Sequence, residues 1–264
     1  MNVGETHRNG RILNCLPSRG TAHDWRIEHA DRADPDRAGA PIPPSKDLRE
    51  PWWTIADQKR TGSCVGWATA DSVLRWYFTK AGRLATGQLL SARFIWMAAK
   101  ESDEFDTHPT TFIEAEGTSI KTALDVARIY GALPEVDLPF ENGRLFQEDA
   151  EALYSIAARY KIARYHNLGR DPADWRKWLA TRGPILTRLL CDETWMHVGP
   201  DGVLERYDES STLGGHAIAL VGYEPDCFIV RNTWGRAWGD EGYAYAREAY
   251  AMAAFTEAYG VVVY

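Results

Sequence analysis

The sequence predicts an α+β fold in which a helical first part is followed by a strand-rich second part. From about residue 64 to residue 182, apolar residues recur at helical spacing in successive segments. Beyond Gly183-Pro184 they gather instead into short runs separated by turn residues. The chain of 264 residues, 45% hydrophobic and 25% charged, is long enough to bury a substantial core in one domain or two intimate lobes.

Each segment has its own reason. Residues 1–45 are polar and rich in Arg, Asp, Pro and Gly, and the run from Asp31 to Pro44 reads as a linker. This N-terminal extension is expected to be mobile or draped on the surface, with shielding of a cleft as the functional alternative. After Cys64, the residues Val65, Ala68, Thr69, Ser72, Val73, Trp76 and Tyr77 keep helical spacing, so a buried amphipathic helix starts at the cysteine. Ser91 can cap a helix carrying Phe94, Ile95, Met97 and Ala98. Residues 103–115 have no period and read as a loop. Gly117-Thr118-Ser119 opens a helix with Ile120, Leu124, Ala127 and Tyr130 on one face and Gly131 as its stop. A further amphipathic helix is expected over 148–160 through Leu153, Ile156 and Tyr160. Asp171-Pro172 is an N-cap and first-turn pair for a helix bearing Trp175, Trp178 and Leu179. Strands are expected over 185–190, 203–206, 216–223, 228–232 and 243–246. An Ala-rich helix over 247–258 and a closing strand over 260–264 complete the chain.

Charge and composition exclude several classes of function. A net charge of −7 and a pI near 5.5 do not suit a nucleic-acid polyanion as partner. No apolar run is long enough to span a membrane, and the first residues lack the apolar stretch of a secretory signal. The expectation is a cytoplasmic protein, or one exported without a cleaved signal. The four cysteines, Cys15, Cys64, Cys191 and Cys227, follow no zinc-binding spacing, so neither a metal nor another cofactor is implied. Eleven tryptophans and twelve tyrosines point to large packed interfaces.

Candidate chemistry starts at Cys64. A thiol at a helix start faces unpaired backbone N–H groups and the positive end of the helix dipole, which favour the thiolate. Gly62-Ser63 just before it leaves an uncluttered approach to the sulfur. Far downstream lie Leu213-Gly-Gly-His216-Ala-Ile-Ala-Leu-Val-Gly-Tyr223 and Cys227-Phe-Ile-Val-Arg-Asn232-Thr-Trp234-Gly-Arg-Ala-Trp238-Gly-Asp-Glu-Gly-Tyr243. A hairpin between these two stretches would bring His216 and Asn232 together. Taken singly, each residue has a plainer reading: a buried structural cysteine, a satisfied core histidine, a turn asparagine.

Together, however, the three stretches resemble the papain-like cysteine peptidase family over residues 46–264, with the strongest matches at the two ends. The resemblance implies a two-lobe fold. A mainly helical lobe (about 46–170) holds the nucleophile helix, and a mainly β lobe (about 171–264), antiparallel and barrel-like, packs against it. It also implies Cys64 as nucleophile, His216 as acid and base, and Asn232 as the group that orients the imidazole. Gln58 would supply an oxyanion donor beside the backbone N–H of Cys64. Trp234 would shelter the Asn–His bond from water, and Gly62 and Gly117 would line the substrate cleft. A polypeptide or peptide is the implied substrate, and nothing in the sequence speaks to oligomeric state. Where secreted members carry a disulfide cysteine upstream of the nucleophile, this chain has Thr61, which fits a reducing compartment. Val65-Gly66-Trp67 departs from the aromatic usual after the nucleophile, and Ala115-Glu116-Gly117 from the usual paired glycines. Cys191, Asp192 and His197 match no metal motif and read as structural. Two alternatives keep their place: an amide transferase or deamidase using the same Cys-His-Asn site, and a non-catalytic binding module of the same fold.

Overall fold

A computed structural model describes residues 10–102, 117–141 and 150–264. The loop expected over 103–115 and the start of the helix expected from 148 lie outside the described residues.

Two short helices, α1 (Ile27–Ala33) and α2 (Pro35–Ala38), and the two-residue strand β1 (Lys46–Asp47) precede the helical part. The helix that starts at Cys64 begins as α3 (Cys64–Thr69) and passes through one π-helical stretch, Ala70–Leu74, into α4 (Arg75–Lys80) without a break. Next come α5 (Ala92–Ser102), α6 (Ile120–Ile129) and α7 (Ala150–Ala157). The caps read from sequence are in place: Ser91 Oγ accepts from Phe94 N at 3.0 Å, and Ser119 Oγ accepts from Thr122 N at 3.2 Å. Beyond them lie β2 (Ile162–Asn167), α8 (Pro172–Thr181) capped by Asp171, β3 (Ile185–Cys191), α9 (Glu193–Met196) and β4 (Val203–Leu204). β5 (Gly214–Tyr223), β6 (Cys227–Arg231), β7 (Tyr243–Arg247), α10 (Glu248–Ala254) and β8 (Phe255–Val263) complete the chain.

The strands form one sheet in the order β2-β8-β3-β5-β6-β7-β4, with β1 added along β5. Every pair is antiparallel except β4 with β7. The sheet keeps two ends and does not close into a barrel. α3 packs against β5, so the helix that starts at Cys64 abuts the strand that carries His216.

The sheet differs from expectation at its β2 and β8 edge. β2 was not anticipated, and the final strand begins at Phe255, where the sequence suggests helix up to residue 258. β8 is an interior strand, paired with β2 on one side and β3 on the other. Ladder hydrogen bonds on both edges, with Phe255, Ala258 and Tyr259 buried, outweigh the helix preference of its Ala and Glu residues. The aromatic load is largely core: Trp53, Trp96, Trp175, Trp178 and Trp195 are fully buried.

The N-terminal segment is not draped loosely over the surface. Ile12, Leu13 and Cys15 are buried. Asp24 accepts from Lys121 Nζ at 2.6 Å and from the Tyr259 hydroxyl at 2.8 Å. Trp25 O accepts from Asn167 N at 2.7 Å, and Lys177 reaches Asp31 at 2.6 Å. These ties hold the segment to β2, α6, α8 and β8.

Candidate active site

Cys64 is the first residue of α3, fully buried, with its sulfur facing three partners. Cys15, His216 and the backbone of Ala217 are the groups that act on its ionisation. Cys15 is the largest influence. With His216 it holds the Cys64 thiol well below its ordinary range, against the opposing push of burial. Burial and the neighbouring Cys64 sulfur push the Cys15 thiol well up. One sulfur of the pair is therefore set to carry the negative charge and the other to keep its proton.

The imidazole is oriented from below. His216 Nε2 lies 2.8 Å from Asn232 Oδ1, and both residues are fully buried. The same oxygen accepts from Thr233 N at 2.8 Å, which identifies it as the amide oxygen and leaves Nε2 as the donor. Nδ1 is buried and takes no hydrogen bond, so it is the nitrogen free to exchange a proton. The topology explains the meeting: His216 sits near the start of β5, and Asn232 follows directly on the end of β6, its antiparallel neighbour.

A tryptophan cage covers this bond. The Trp234 ring centroid is 4.9 Å from that of His216, and Trp195 is 5.9 Å away on another side. Trp238 packs on Trp195 at 4.7 Å and donates from Nε1 to Trp195 O at 3.1 Å. Excluding water strengthens a hydrogen bond and fixes its geometry. Trp195 and Trp238 went unassigned in the sequence because nothing local links them to His216.

Gln58 is buried in the loop ahead of α3. Its Oε1 accepts from Thr233 Oγ1 at 2.9 Å, and its backbone N donates to Thr233 O at 2.8 Å. Nε2 donates one hydrogen to Thr61 O at 3.0 Å, leaving the second available. Thr233 thus ties Gln58 to the residue beside Asn232.

Beneath the site, Asp71 lies in the π-helical stretch and bridges two arginines, Arg75 at 3.0 Å and Arg231 at 2.8 Å, with all three side chains at most 3% exposed. Arg231 also donates to Ser72 Oγ and to Thr54 O, so the residue next to Asn232 is anchored to the helix that starts at Cys64.

Residues 11–16 form a strap across the cysteine. Cys15 N donates to Gly215 O at 2.9 Å, and Leu16 N donates to Thr118 O at 3.0 Å. Arg188 Nε holds Cys15 O at 3.0 Å. Glycine admits the strap on both sides: a Cβ on Gly117 would lie 1.9 Å from Asn14 O, and one on Gly215 would lie 2.1 Å from Cys15 O. Arg11 anchors the entering end through Asp57 Oδ1 at 2.5 Å, Lys59 O at 2.8 Å and Trp234 O at 2.9 Å. The run Ile12-Leu13-Asn14-Cys15-Leu16, apolar within a polar extension, was the signal available for this in the sequence. Gly117 therefore lines the strap's channel. Gly62 is buried in the turn that leads into α3.

Cys191 ends β3 buried, and Asp192 caps α9 through Trp195 N at 3.1 Å while accepting from the Tyr250 hydroxyl at 2.8 Å. His197 is exposed. Among the described residues, the grouping with metal-ligand proximity is Glu224, Asp226 and Cys227 at the turn between β5 and β6, where Arg247 already pairs with Asp226.

A model of the papain family cysteine proteases matches residues 42–260. Cathepsin B-like CP3 of Giardia intestinalis is 34% identical over 89 residues, 32% of this chain and 29% of that protein. Cathepsin J of Mus musculus is 26% identical over 215 residues, 76% of this chain and 59% of the relative. In both cases the matched stretch spans less than two thirds of the relative's length. Xylellain, a cysteine protease from Xylella fastidiosa, has a crystal structure similar over 100% of both chains at a TM-score of 0.80 and 20% identity. The proCathepsin B S9 structure from Trypanosoma congolense matches 98% of this chain and 93% of that one at a TM-score of 0.69 and 18% identity. At such identities the two structures speak to the fold.

Proposed function

The chain belongs to the papain family of cysteine proteases, and from that premise we propose that it hydrolyses peptide bonds through a thioester on Cys64, with His216 as acid and base. The Cys64 thiolate attacks the scissile carbonyl carbon. Negative charge develops on the carbonyl oxygen, and the donors suited to it are the backbone N–H of Cys64 at the helix start and the second hydrogen of Gln58 Nε2. His216 gives its Nδ1 proton to the leaving amine. It then takes a proton from the water that opens the thioester, restoring the Cys64 thiolate and releasing the acid. Asn232 keeps Nε2 as a donor throughout, so that Nδ1 is the nitrogen that gains and loses the proton.

The observation that carries this reading is the chain of contacts from Asn232 Oδ1 to His216 Nε2 and, from the other side of the ring, to the Cys64 sulfur. Gly215 O and Thr118 O, which accept from the strap, are the groups with which a peptide backbone would pair once the strap has left.

The test is a thiol-directed epoxide peptidomimetic applied to the full chain, with the adduct located by mass spectrometry. Labelling confined to Cys64 and lost in His216→Ala supports the reading; equal labelling of all four cysteines, unchanged in that variant, sinks it. Product masses with and without an added amine separate hydrolysis from amide transfer.

A further inference from the structure

Cys15 reaches Cys64 from a part of the chain that supplies nothing to the proposed reaction. Both thiols are free and buried, and they stand close enough that each shifts the ionisation of the other. The strap fixes Cys15 by its own backbone: Cys15 N on Gly215 O at 2.9 Å, Cys15 O on Arg188 Nε at 3.0 Å, and Leu16 N on Thr118 O at 3.0 Å. A disulfide needs its sulfurs about 2.05 Å apart. The strap's pairing with Gly215, the residue before His216, sets Cys15 beside the start of α3, so neither thiol has to be recruited from elsewhere. Closing a cleft needs only a backbone and a small side chain. A cysteine at this one place adds the capacity for a covalent bond to the sulfur it covers. The other cysteines are placed differently: Cys191 ends β3 with its thiol pushed up by burial, and the Cys227 thiol contacts Glu224 Oε2 at the turn after β5.

We propose that Cys15 is a resolving thiol that closes a reversible disulfide with Cys64 on oxidation, fastening the strap over the site and protecting its sulfur. The regulatory role rests on the reading of Cys64 as the nucleophile. The oxidant is a hydroperoxide, of which hydrogen peroxide is small enough to reach a covered thiol. The Cys64 thiolate attacks one peroxide oxygen, the O–O bond breaks, and hydroxide leaves to take up a proton as water, giving a sulfenic acid on Cys64. The Cys15 thiol then loses its proton and attacks the Cys64 sulfur. The S–O bond breaks, and the departing hydroxide combines with that proton as a second water. Two electrons pass from the sulfurs to the peroxide oxygens, and two thiols plus one peroxide give one disulfide plus two waters. An added dithiol reverses the bond by exchange, becoming a disulfide itself. Without Cys15, a second peroxide carries the sulfenic acid to a sulfinic acid, which thiols do not reduce.

The experiment treats the full chain, Cys15→Ser and Cys15→Ala with hydrogen peroxide and then dithiothreitol. Peptides are mapped without reduction, and peptide hydrolysis is followed in parallel. In the unmodified chain a Cys15–Cys64 cross-linked peptide is expected, two hydrogen masses lighter than its parts, with hydrolysis lost on oxidation and returned by dithiothreitol. In both variants, Cys64 is expected as sulfinic acid and the loss is permanent. Sulfinic Cys64 without a cross-link in the unmodified chain, a bridge from Cys64 to Cys191, or equal recovery in all three proteins overturns the proposal. Mapping reads the bond independently of turnover. A missing cross-link in a protein whose Cys64→Ala variant is inactive overturns the disulfide alone; a cross-link in one whose Cys64→Ala variant still hydrolyses peptide overturns the catalytic reading and the regulatory role with it.

Discussion

His216 Nε2 and Asn232 Oδ1 meet at 2.8 Å inside a cage of tryptophans; the two residues are 16 positions apart, His216 on β5 and Asn232 just past the end of its antiparallel neighbour β6. Because Asn232 Oδ1 also accepts from Thr233 N, the bond fixes both the tautomer and the plane of the imidazole. Replacing Asn232 by Ala leaves Cys64 and His216 in place but frees the ring to rotate. The expected outcome is a folded enzyme whose kcat/KM falls about 10- to 100-fold, the equivalent of one hydrogen bond to a charged group. Steady-state kinetics beside a circular dichroism spectrum check it; activity equal to the unmodified chain would remove Asn232 from the mechanism.

Arg11 ties the strap to Asp57, Lys59 O and Trp234 O. Arg11→Ala removes those charged hydrogen bonds at the end where the strap enters and should shift the local equilibrium toward an open cleft. The rate of Cys64 alkylation by iodoacetamide is expected to rise about 10- to 100-fold. An unchanged rate would mean that the strap is held by its Gly215 and Thr118 pairings alone.

Asp71 neutralises Arg75 and Arg231, all three out of contact with water. Asp71→Ala leaves two guanidinium groups buried without their carboxylate and is expected to cost about 3–5 kcal/mol. In a chain of this size that corresponds to a Tm lower by about 6–20 °C, measured by calorimetry. A change of only a degree or two would show that the arginines are satisfied by Ser72, Thr54 O, Trp52 O and Thr86 O.

His166 is buried against Trp178, its Nδ1 at 3.1 Å from Arg26 O, and burial lowers its pKa from 6.5 to about 4. The unfolded chain therefore binds a proton as pH falls below about 6.5, while the folded chain does not until about 4. Stability from this group is complete above the unfolded value and is lost through the window between the two, by about 3 kcal/mol at its acid end. His166→Gln, which keeps a donor for Arg26 O and cannot titrate, is expected to flatten the urea-midpoint profile between pH 6.5 and 4. A profile identical to that of the unmodified chain would assign the acid sensitivity to other groups.

Short-range signals made much of this protein legible in its sequence. The period from Val65 to Tyr77 marked the helix that starts at Cys64, Ser91, Ser119 and Asp171 marked helix starts, and the residues around His216 and Asn232 marked two adjacent strands. In each case the cause of the structure, a cap or an apolar period, lies within a few residues of its effect. Tertiary structure decided the rest. β8 begins at Phe255 because β2 and β3 both claim its edges, and Trp195 guards His216 because β3 and β5 lie side by side. Cys15 rests on Cys64 because Gly117 and Gly215 leave room for a third backbone. Those contacts join residues far apart in the chain, and what selects them is complementary shape and unspent hydrogen-bonding capacity, neither of which exists until the chain has folded.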